Sequence, residues 1–236
     1  MKPQTTDIDC GDYLVKADIY DDGADGPIAL FLIGRTSNRS KPRYKEFLSR
    51  LVKELGIASI IFDYTGHGDS PFNIGDRSAA QHLKEALAVF DWVKAKYPNR
   101  KFYVFGSSYG GFLATHLSQL RDFDVLILLA PAIYRATDFE LTYDVEDDQK
   151  TFAFRRSPAE LSQHPLLKNA AKFAGKVLLL VHKRDERIPR EVTDAYENAF
   201  NCKVIVEDVP HSLGQATKEE IAHYNQTVLD WVESNL

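Results

Sequence analysis

The sequence has few cysteines and no large excess of charge of either sign, and each shortage excludes a class of protein. Cys10 and Cys202 are the two cysteines among 236 residues. They lie far apart and outside any metal-binding or redox spacing, so we expect two buried thiols rather than a disulfide. The net charge is only −5. This mild balance argues against nucleic acid, and against an anionic membrane, as the main partner.

Long apolar runs are also missing. The first nine residues contain no apolar signal-peptide core, and no later run approaches the roughly 18 residues of a membrane-spanning helix. We therefore expect a cytoplasmic protein without an integral membrane segment. The histidine, cysteine and carboxylate residues show no metal-ligand spacing, and the sequence has neither an H-E-x-x-H motif nor a phosphate-binding glycine loop. We expect no metal and no cofactor.

What the sequence does contain is an alternation of strand and helix patterns. Two short strands are predicted within residues 5–20, and apolar runs typical of buried strands then alternate with amphipathic helices. The later strands are predicted at 28–33, 57–63, 102–105, 125–130, 175–182 and 203–206. The helices between and after them are predicted at 44–55, 78–97, 112–120, 190–200 and 217–236. This order predicts an α/β fold with a doubly wound, mostly parallel sheet.

Residues 132–174 interrupt the alternation. They are polar, charged and aromatic, and they have helical potential without a buried strand. We predict a single domain over residues 1–236, with 132–174 as a small cap insertion at the carboxyl edge of the sheet. The length and the 44% hydrophobic content suffice for one large core.

Residues 102–111 carry the clearest chemical signal. An apolar strand (102–105) leads into Gly106-Ser-Ser108-Tyr-Gly110, and a predicted helix follows. Strand, G-x-S-x-G and helix form a nucleophile elbow, a tight turn that presents one serine in a strained conformation. Ser108 is the predicted nucleophile. The alternative is an ordinary glycine-rich loop after a strand.

A serine nucleophile needs a histidine base and a carboxylate that orients it. His211 lies in the loop between the last strand and the last helix, and Asp185 directly follows the strand before it. We predict His211 as the base and Asp185 as the acid, with Glu186 as the fallback acid. Asp185 could instead cap a helix or join a surface ion pair. The remaining histidines, including His82 and His182, are expected to be structural or surface residues. Glu207 and Asp208, in the loop predicted after residue 206, are expected to be solvated charges.

Four stretches carry a resemblance to a known family. They are Gly106–Gly111, the D-x-x-G-x-G-x-S pattern of Asp63–Ser70, Asp185 before Ile188-Pro189, and Pro210-His211. On these residues the chain resembles the α/β-hydrolase superfamily from about residue 28 to its end. Within that superfamily it is most similar to small-capped esterases, thioesterases and lysophospholipase-like enzymes. The resemblance implies the α/β-hydrolase fold and the chain order nucleophile, acid, base.

One position departs from the family pattern. Those relatives usually carry His-Gly after the third strand, whereas this chain has Ile33-Gly34-Arg35. The usual histidine shapes the loop that supplies one oxyanion donor. By position, the resemblance makes the backbone N–H groups of Arg35 and Tyr109 the two donors of the oxyanion hole.

Contacts with the substrate are predicted for Gly34 and for two aromatic residues of the insertion, Tyr134 and Phe139. These aromatics could line an acyl pocket, or they could pack the cap onto the sheet. A basic cluster around the oxyanion loop is either a solvated face or a clamp for a substrate anion. Its members are Arg35, Arg39, Lys41, Arg43 and Lys45.

The resulting hypothesis is a serine hydrolase that cleaves a small-molecule carboxylic ester or thioester through an acyl-enzyme. A serine aminopeptidase or acylpeptidase with the same triad is the alternative within the enzyme class. In that case the acidic residues of the insertion would anchor the substrate's amine. A non-catalytic relative that binds a ligand in the same pocket is the alternative from another class.

Overall fold

The computed structural model describes residues 1–36, 41–68, 70–145 and 147–236. Its strands are β1 (Gln4–Asp9), β2 (Leu14–Tyr20), β3 (Ile28–Leu32), β4 (Ala58–Phe62), β5 (Phe102–Ser107), β6 (Val125–Leu129), β7 (Lys176–Arg184) and β8 (Cys202–Pro210). Its α-helices are α1 (Lys41–Leu55), α2 (Ala79–Lys96), α3 (Tyr109–Leu117), α4 (Asp148–Arg155), α5 (Pro158–Gln163), α6 (Pro165–Ala170), α7 (Arg190–Ala199) and α8 (Lys218–Glu233).

The strands described form one eight-stranded sheet in the order β1-β2-β4-β3-β5-β6-β7-β8. β1 and β2 form an antiparallel hairpin, and β2 pairs with β4 in the antiparallel direction. Every later pairing, from β4-β3 through β7-β8, is parallel. The prediction of a doubly wound, mostly parallel sheet is confirmed. Because the carboxyl ends of the parallel strands share one edge, the loops after β3, β5, β7 and β8 meet there.

The centre of the sheet is covered on both faces. β3, β4 and β6 are buried at every residue, which explains why their sequences are continuous apolar runs rather than alternating ones. Phe31 and Phe105, on neighbouring strands, stack with their ring centroids 4.3 Å apart. The long helix α2 begins with a capping box, in which Ser78 and Gln81 exchange side-chain and backbone hydrogen bonds.

The helix after the elbow begins at Tyr109, three residues before the predicted start. Glycine is a poor helix former, yet Gly110 and Gly111 lie in the first turn because the sheet leaves no space for a side chain. A Cβ on Gly110 would overlap the carbonyl oxygen of Leu32 in β3. A Cβ on Gly106 would lie 2.6 Å from the carbonyl oxygen of Gly110. Tertiary contact therefore outweighs helix propensity at this turn.

The insertion 132–174 lies between β6 and β7 and contains a 3₁₀ turn (Ala136–Asp138) and the three helices α4, α5 and α6. Within its described residues the one strand-like pairing is an isolated bridge between Thr142 and Ser78, just before α2. The N–H of Tyr143 also donates to the carbonyl of Arg77, at 3.0 Å. The insertion is thus joined to the body of the fold at the start of α2.

Three smaller predictions need correction. β8 runs to Pro210 rather than ending near residue 206, because it continues to pair with β7 up to Arg184. Glu207 was predicted to be a solvated charge in a loop, but its place in the strand leaves it only 7% exposed. Cys10 and Cys202 are free thiols, and both are half-buried instead of buried.

None of the helices that the structure describes combines the length and the apolar character needed to cross a lipid bilayer.

Because α3 and β3 are in close contact at Gly110, we expect the fold to be sensitive to substitution of this residue. Gly110→Ala should destabilise the fold by about 2 kcal/mol or more, since the added methyl group overlaps the backbone of β3. Thermal unfolding should show a Tm lower by about 5 °C or more. Gly214→Ala is the matched control, because its added Cβ meets only Ser212 Oγ at 3.6 Å. Equal melting temperatures for the two variants would contradict the close approach.

Candidate active site

Ser108 is the pivot of the turn between β5 and α3. It is the N-cap of α3 and has φ 51° and ψ −114°, a positive φ that residues other than glycine rarely adopt. Its backbone is held on both sides: its N–H donates to the Leu129 carbonyl, and its carbonyl accepts from Ala132, each at 2.9 Å. The strained conformation is therefore fixed by hydrogen bonds to β6 and the residues just after it. It places the side chain at the carboxyl edge of the sheet.

Three strand ends bring Ser108, Asp185 and His211 together. Ser108 Oγ lies 3.0 Å from His211 Nε2, and His211 Nδ1 lies 2.6 Å from Asp185 Oδ2. A carboxylate can only accept, so Nδ1 carries the ring proton and Nε2 presents its lone pair to the serine hydroxyl. The arrangement can remove a proton from Ser108.

The hydrogen bonds around the carboxylate of Asp185 favour its ionised form. Its other oxygen, Oδ1, accepts hydrogen bonds from the N–H groups of Arg187 and Ile188, each at 2.8 Å. Burial favours the neutral acid, but the hydrogen bond and charge of His211 and the two N–H donors outweigh it and lower the pKa of Asp185. The neighbouring carboxyl, Glu186, is exposed. The structure therefore brings Asp185 to His211 and leaves the fallback acid in solvent.

His182, which was predicted from the sequence to be a structural or surface residue, stabilises the segment just before His211. It ends the buried part of β7, and its Nδ1 donates to the carbonyl of Pro210 at 3.1 Å. Its Nε2 accepts from the hydroxyl of Tyr224, on α8, at 3.0 Å. Pro210 directly precedes His211, so these bonds hold the backbone next to His211.

The loop after β3 lies beside the nucleophile. A Cβ built on Gly34 would be 3.7 Å from Ser108 Cβ, which places this loop in contact with the elbow. Tyr109 is the first residue of α3, and N–H groups in the first turn of a helix have no partner within the helix. Of the two residues predicted to supply oxyanion donors, Arg35 follows Gly34 in the loop that contacts the elbow, and Tyr109 directly follows Ser108.

The side chain of Arg35 lies over two tyrosine rings of the insertion. Its guanidinium carbon is 4.4 Å from the ring centre of Tyr143 and 5.2 Å from that of Tyr134. Both distances are within the range of cation–π attraction. Of the other cluster residues, Lys41 lies 3.6 Å from Asp18 and 3.9 Å from Asp63. Arg39 lies outside the described residues.

The two aromatic residues predicted to touch the substrate both pack against α3. Tyr134 is 7% exposed, and its ring meets those of Tyr109 and Phe112 at 5.7 and 5.2 Å. Phe139 lies 4.6 Å from the ring of His116. Packing of the insertion onto the body is therefore a role that both residues fill, and Tyr134 additionally reaches the residue after the nucleophile.

A buried polar network next to the elbow was missed by the sequence analysis. His82 is fully buried; its Nδ1 lies 2.8 Å from the Tyr109 hydroxyl and 3.2 Å from the Tyr143 hydroxyl. Its Nε2 lies 2.9 Å from the carbonyl oxygen of Thr65. Thr65 in turn donates its N–H and its hydroxyl to the buried carboxylate of Glu85. A signal was available, because His82 falls in step with Ala86, Val89 and Val93 on the buried face of α2.

Within the residues that the structure describes, no group of three or more histidine, cysteine, aspartate or glutamate side chains is placed to hold a metal ion.

Known structures share this arrangement of strands and helices. The mouse α/β hydrolase domain-containing protein 10 superposes with a TM-score of 0.67 over 99% of this chain and 100% of its own. The sequence identity is 20%, so the likeness concerns the fold alone. The class is therefore the α/β-hydrolase fold. Residues 31–159, more than half of the chain, match the sequence profile described as serine aminopeptidase, S33, and the chain belongs to this family of the α/β-hydrolase superfamily.

Two curated relatives match parts of the chain more closely. The lysophosphatidylserine lipase ABHD12 of Gallus gallus is 36% identical over 95 residues, which are 40% of this chain and 24% of that protein. The mitochondrial palmitoyl-protein thioesterase ABHD10 of Rattus norvegicus is 32% identical over 116 residues, which are 49% of this chain and 37% of that protein. The matched stretches thus span well under half of either relative.

Because the buried histidines near the site are neutral in the folded protein, we predict that the protein loses stability in acid. Burial lowers the pKa of His82 to about 3 and the pKa values of His67 and His182 to about 4. Their ordinary value is 6.5, so below that pH the unfolded chain binds more protons than the folded chain. The stability that these groups confer is complete above about pH 6.5 and is lost as the pH falls toward 4.

Thermal unfolding at pH 7 and pH 5 measures this effect. We expect a Tm lower by on the order of 10 °C at pH 5. His182→Gln should reduce the difference between the two pH values, because it removes one of the groups that must stay neutral. His223→Gln is the control, since that side chain is 75% exposed. A Tm that is equal at the two pH values would contradict the burial of neutral imidazoles.

Proposed function

We propose that this chain is a serine hydrolase that cleaves a carboxylic ester or thioester through an acyl-enzyme on Ser108. One observation carries the proposal: an unbroken hydrogen-bond chain runs from Ser108 Oγ through His211 to Asp185 on a strained elbow. Membership of a serine hydrolase family with this fold supports it. Each of the three residues comes from a different strand end, so the arrangement is not a by-product of local sequence.

The chemistry proceeds in two halves. His211 Nε2 takes the proton of Ser108 as the oxygen attacks the acyl carbon, and Asp185 stabilises the imidazolium that forms. His211 then gives that proton to the leaving alcohol or thiol. In the second half, water attacks the acyl-enzyme while His211 takes its proton. The acid is released, Ser108 regains its proton, and no cofactor takes part.

The negative charge on the acyl oxygen needs donors in both halves. We assign these to the backbone N–H groups of Arg35, in the loop whose Gly34 contacts the elbow, and of Tyr109, the residue after Ser108. Such preorganised donors stabilise charge as it develops and lose little by reorganisation during the reaction. Gly34, at the edge of this loop, keeps the approach to Ser108 open.

The segment 132–174 is proposed to be a cap on a single α/β domain, with Tyr134 and Phe139 forming its inner wall toward α3. A small-molecule acyl substrate would then bind between this wall and the loop after β3. The names of the two curated relatives, a lysophosphatidylserine lipase and a palmitoyl-protein thioesterase, support an acyl ester or thioester.

An aminopeptidase reaction would require an acidic anchor for a free α-amine. Three described acidic residues of the insertion are engaged elsewhere, and two of them have polar partners: Asp138 pairs with Arg135, and Asp147 caps α4. Asp144 lies against Gly75, before α2. Arg35, which follows Gly34 in the loop that contacts the elbow, would repel an ammonium group. These contacts favour an ester or thioester over an aminoacyl substrate, and the intact hydrogen-bond chain argues against a non-catalytic relative.

Labelling by a fluorophosphonate tests the nucleophile directly. We expect a single covalent adduct at neutral pH, detected by intact mass and mapped to Ser108. Ser108→Ala should abolish the adduct and the hydrolysis of p-nitrophenyl esters. Ser107→Ala, the adjacent serine of the same motif, is the matched control and should still be labelled. An adduct that persists in Ser108→Ala would contradict the assignment of Ser108 as the nucleophile.

The orienting carboxylate can be tested with its neighbour as a control. Asp185→Asn should reduce kcat by on the order of 10⁴ while the fold stays intact, because the amide can donate to Nδ1 and stabilise the wrong tautomer. Glu186→Gln should leave kcat within about twofold, since this side chain is exposed. Circular dichroism and thermal melting check the fold. Similar activity in both variants would mean that Asp185 has no catalytic role.

A further inference from the structure

The side chain of Tyr143 contacts both Arg35 and Tyr109, the two residues proposed to supply the oxyanion donors. Its ring lies below the guanidinium of Arg35, with 4.4 Å between the charged carbon and the ring centre. Its hydroxyl makes a hydrogen bond with the hydroxyl of Tyr109. It comes from the insertion, not from the body of the fold that carries the triad.

The backbone around Tyr143 is anchored. Its N–H donates to the carbonyl of Arg77 at 3.0 Å, and the neighbouring Thr142 forms a bridge with Ser78. Asp144 N–H donates to the carbonyl of Gly75 at 3.2 Å. Three consecutive residues are thus tied to the segment before α2, so the tyrosine side chain projects from a fixed base.

The hydroxyl groups form a chain with one direction. His82 Nε2 faces the carbonyl of Thr65 and must therefore donate, which leaves Nδ1 as the acceptor. The shorter contact to Nδ1, at 2.8 Å, comes from the Tyr109 hydroxyl. Tyr109 thus donates to His82, and Tyr143 donates to Tyr109. Because His82 is fully buried and neutral, this order does not change near neutral pH.

We propose that Tyr143 is a positioning residue that sets the oxyanion hole from the insertion, by holding the side chains of both Arg35 and Tyr109. The inference rests on the proposed function and deepens it. It also accounts for the departure at residue 33, where a buried isoleucine replaces the usual loop-shaping histidine. In this chain the loop after β3 is held at residue 35 instead, through the cation–π contacts of Arg35 with the insertion.

The energetic reason is the sensitivity of oxyanion donors to placement. Losing one donor costs about 10²–10³ in rate, and donors must be held within about 0.5 Å of their productive position. A tyrosine that restrains both donor residues affects the transition state more than the bound substrate. Its removal should therefore lower kcat and leave KM nearly unchanged.

Two variants separate the hydroxyl from the ring. Tyr143→Phe removes the hydrogen bond to Tyr109 and keeps the ring below Arg35, and we expect kcat for p-nitrophenyl butyrate to fall about tenfold. Tyr143→Leu removes both contacts, and we expect a fall of about 10². KM should change less than about threefold in either case. Phe152→Leu is the control, because this aromatic of the same insertion is 45% exposed and contacts Arg156.

A transition-state analogue distinguishes positioning from general loosening of the fold. A trifluoromethyl ketone adds to the serine and places a negative oxygen in the oxyanion hole. Its inhibition constant should rise in each variant by the factor by which kcat/KM falls. A role limited to stability would lower Tm and leave the inhibition constant of the folded fraction unchanged.

A double-mutant cycle tests the hydroxyl chain itself. Tyr109→Phe keeps the backbone N–H and removes the same hydrogen bond from its other end, together with the hydrogen bond from Tyr109 to His82. The double variant Tyr109→Phe/Tyr143→Phe should lose no more kcat than Tyr109→Phe alone, because that change already breaks the hydrogen bond that Tyr143→Phe removes. Multiplying losses would show that the two hydroxyl groups act independently and would overturn the proposed coupling.

The proposed function and the positioning role of Tyr143 would be contradicted by different results. If the wild-type chain neither labels at Ser108 nor turns over any ester, the proposed function fails and this inference falls with it. If the wild type turns over and both Tyr143 variants keep its kcat and inhibition constant, the positioning role alone is wrong. Should Tyr143→Leu not fold, Tyr143→Phe and the double-mutant cycle decide the matter.

Discussion

The approach of α3 to the carboxyl end of β3 is the contact on which the site depends. The carbonyl oxygen of Leu32 occupies the volume that a side chain at residue 110 would need, so the helix can begin there only with glycine. This contact brings the loop that starts at Ile33 next to Ser108 and the first turn of α3. The backbone strain at Ser108, with its positive φ, follows from the same contact and is offset by hydrogen bonds to Leu129 and Ala132.

Around that contact the protein uses histidines that stay uncharged. His182 joins Pro210, the residue before His211, to α8. His82 joins Tyr109, the residue after Ser108, to Thr65. In each case one ring nitrogen donates to a carbonyl and the other accepts from a tyrosine hydroxyl. An imidazole in this arrangement has a defined tautomer and fills both hydrogen-bonding positions without a buried charge. The two buried histidines, one bonded to Pro210 and the other to Tyr109, therefore share the same hydrogen-bonding pattern.

The sequence was sufficient for the fold class and for the residues that meet at the strand ends. Ser108, Asp185 and His211 each follow a predicted strand, and parallel strands deliver such residues to one edge whatever the details of packing. The predicted start of α3 and the predicted exposure of Glu207 were wrong, because both depend on contacts between elements distant in sequence. His82 lies on a periodic apolar stripe, yet its partners, Tyr109 and Tyr143, are 27 and 61 residues away. No local pattern connects them.

The hydrogen-bonded group of His82, Tyr109 and Tyr143 also has an evolutionary consequence. A change at any one of these positions leaves a buried hydroxyl or ring nitrogen without its partner, at a cost of about 1–3 kcal/mol. Substitutions here are therefore expected to spread in pairs or triplets rather than singly. An insertion transplanted from another lineage would bring a residue at position 143 that had adapted to a different helix α2. Residues of the sheet-bearing body thus constrain how the insertion can diverge.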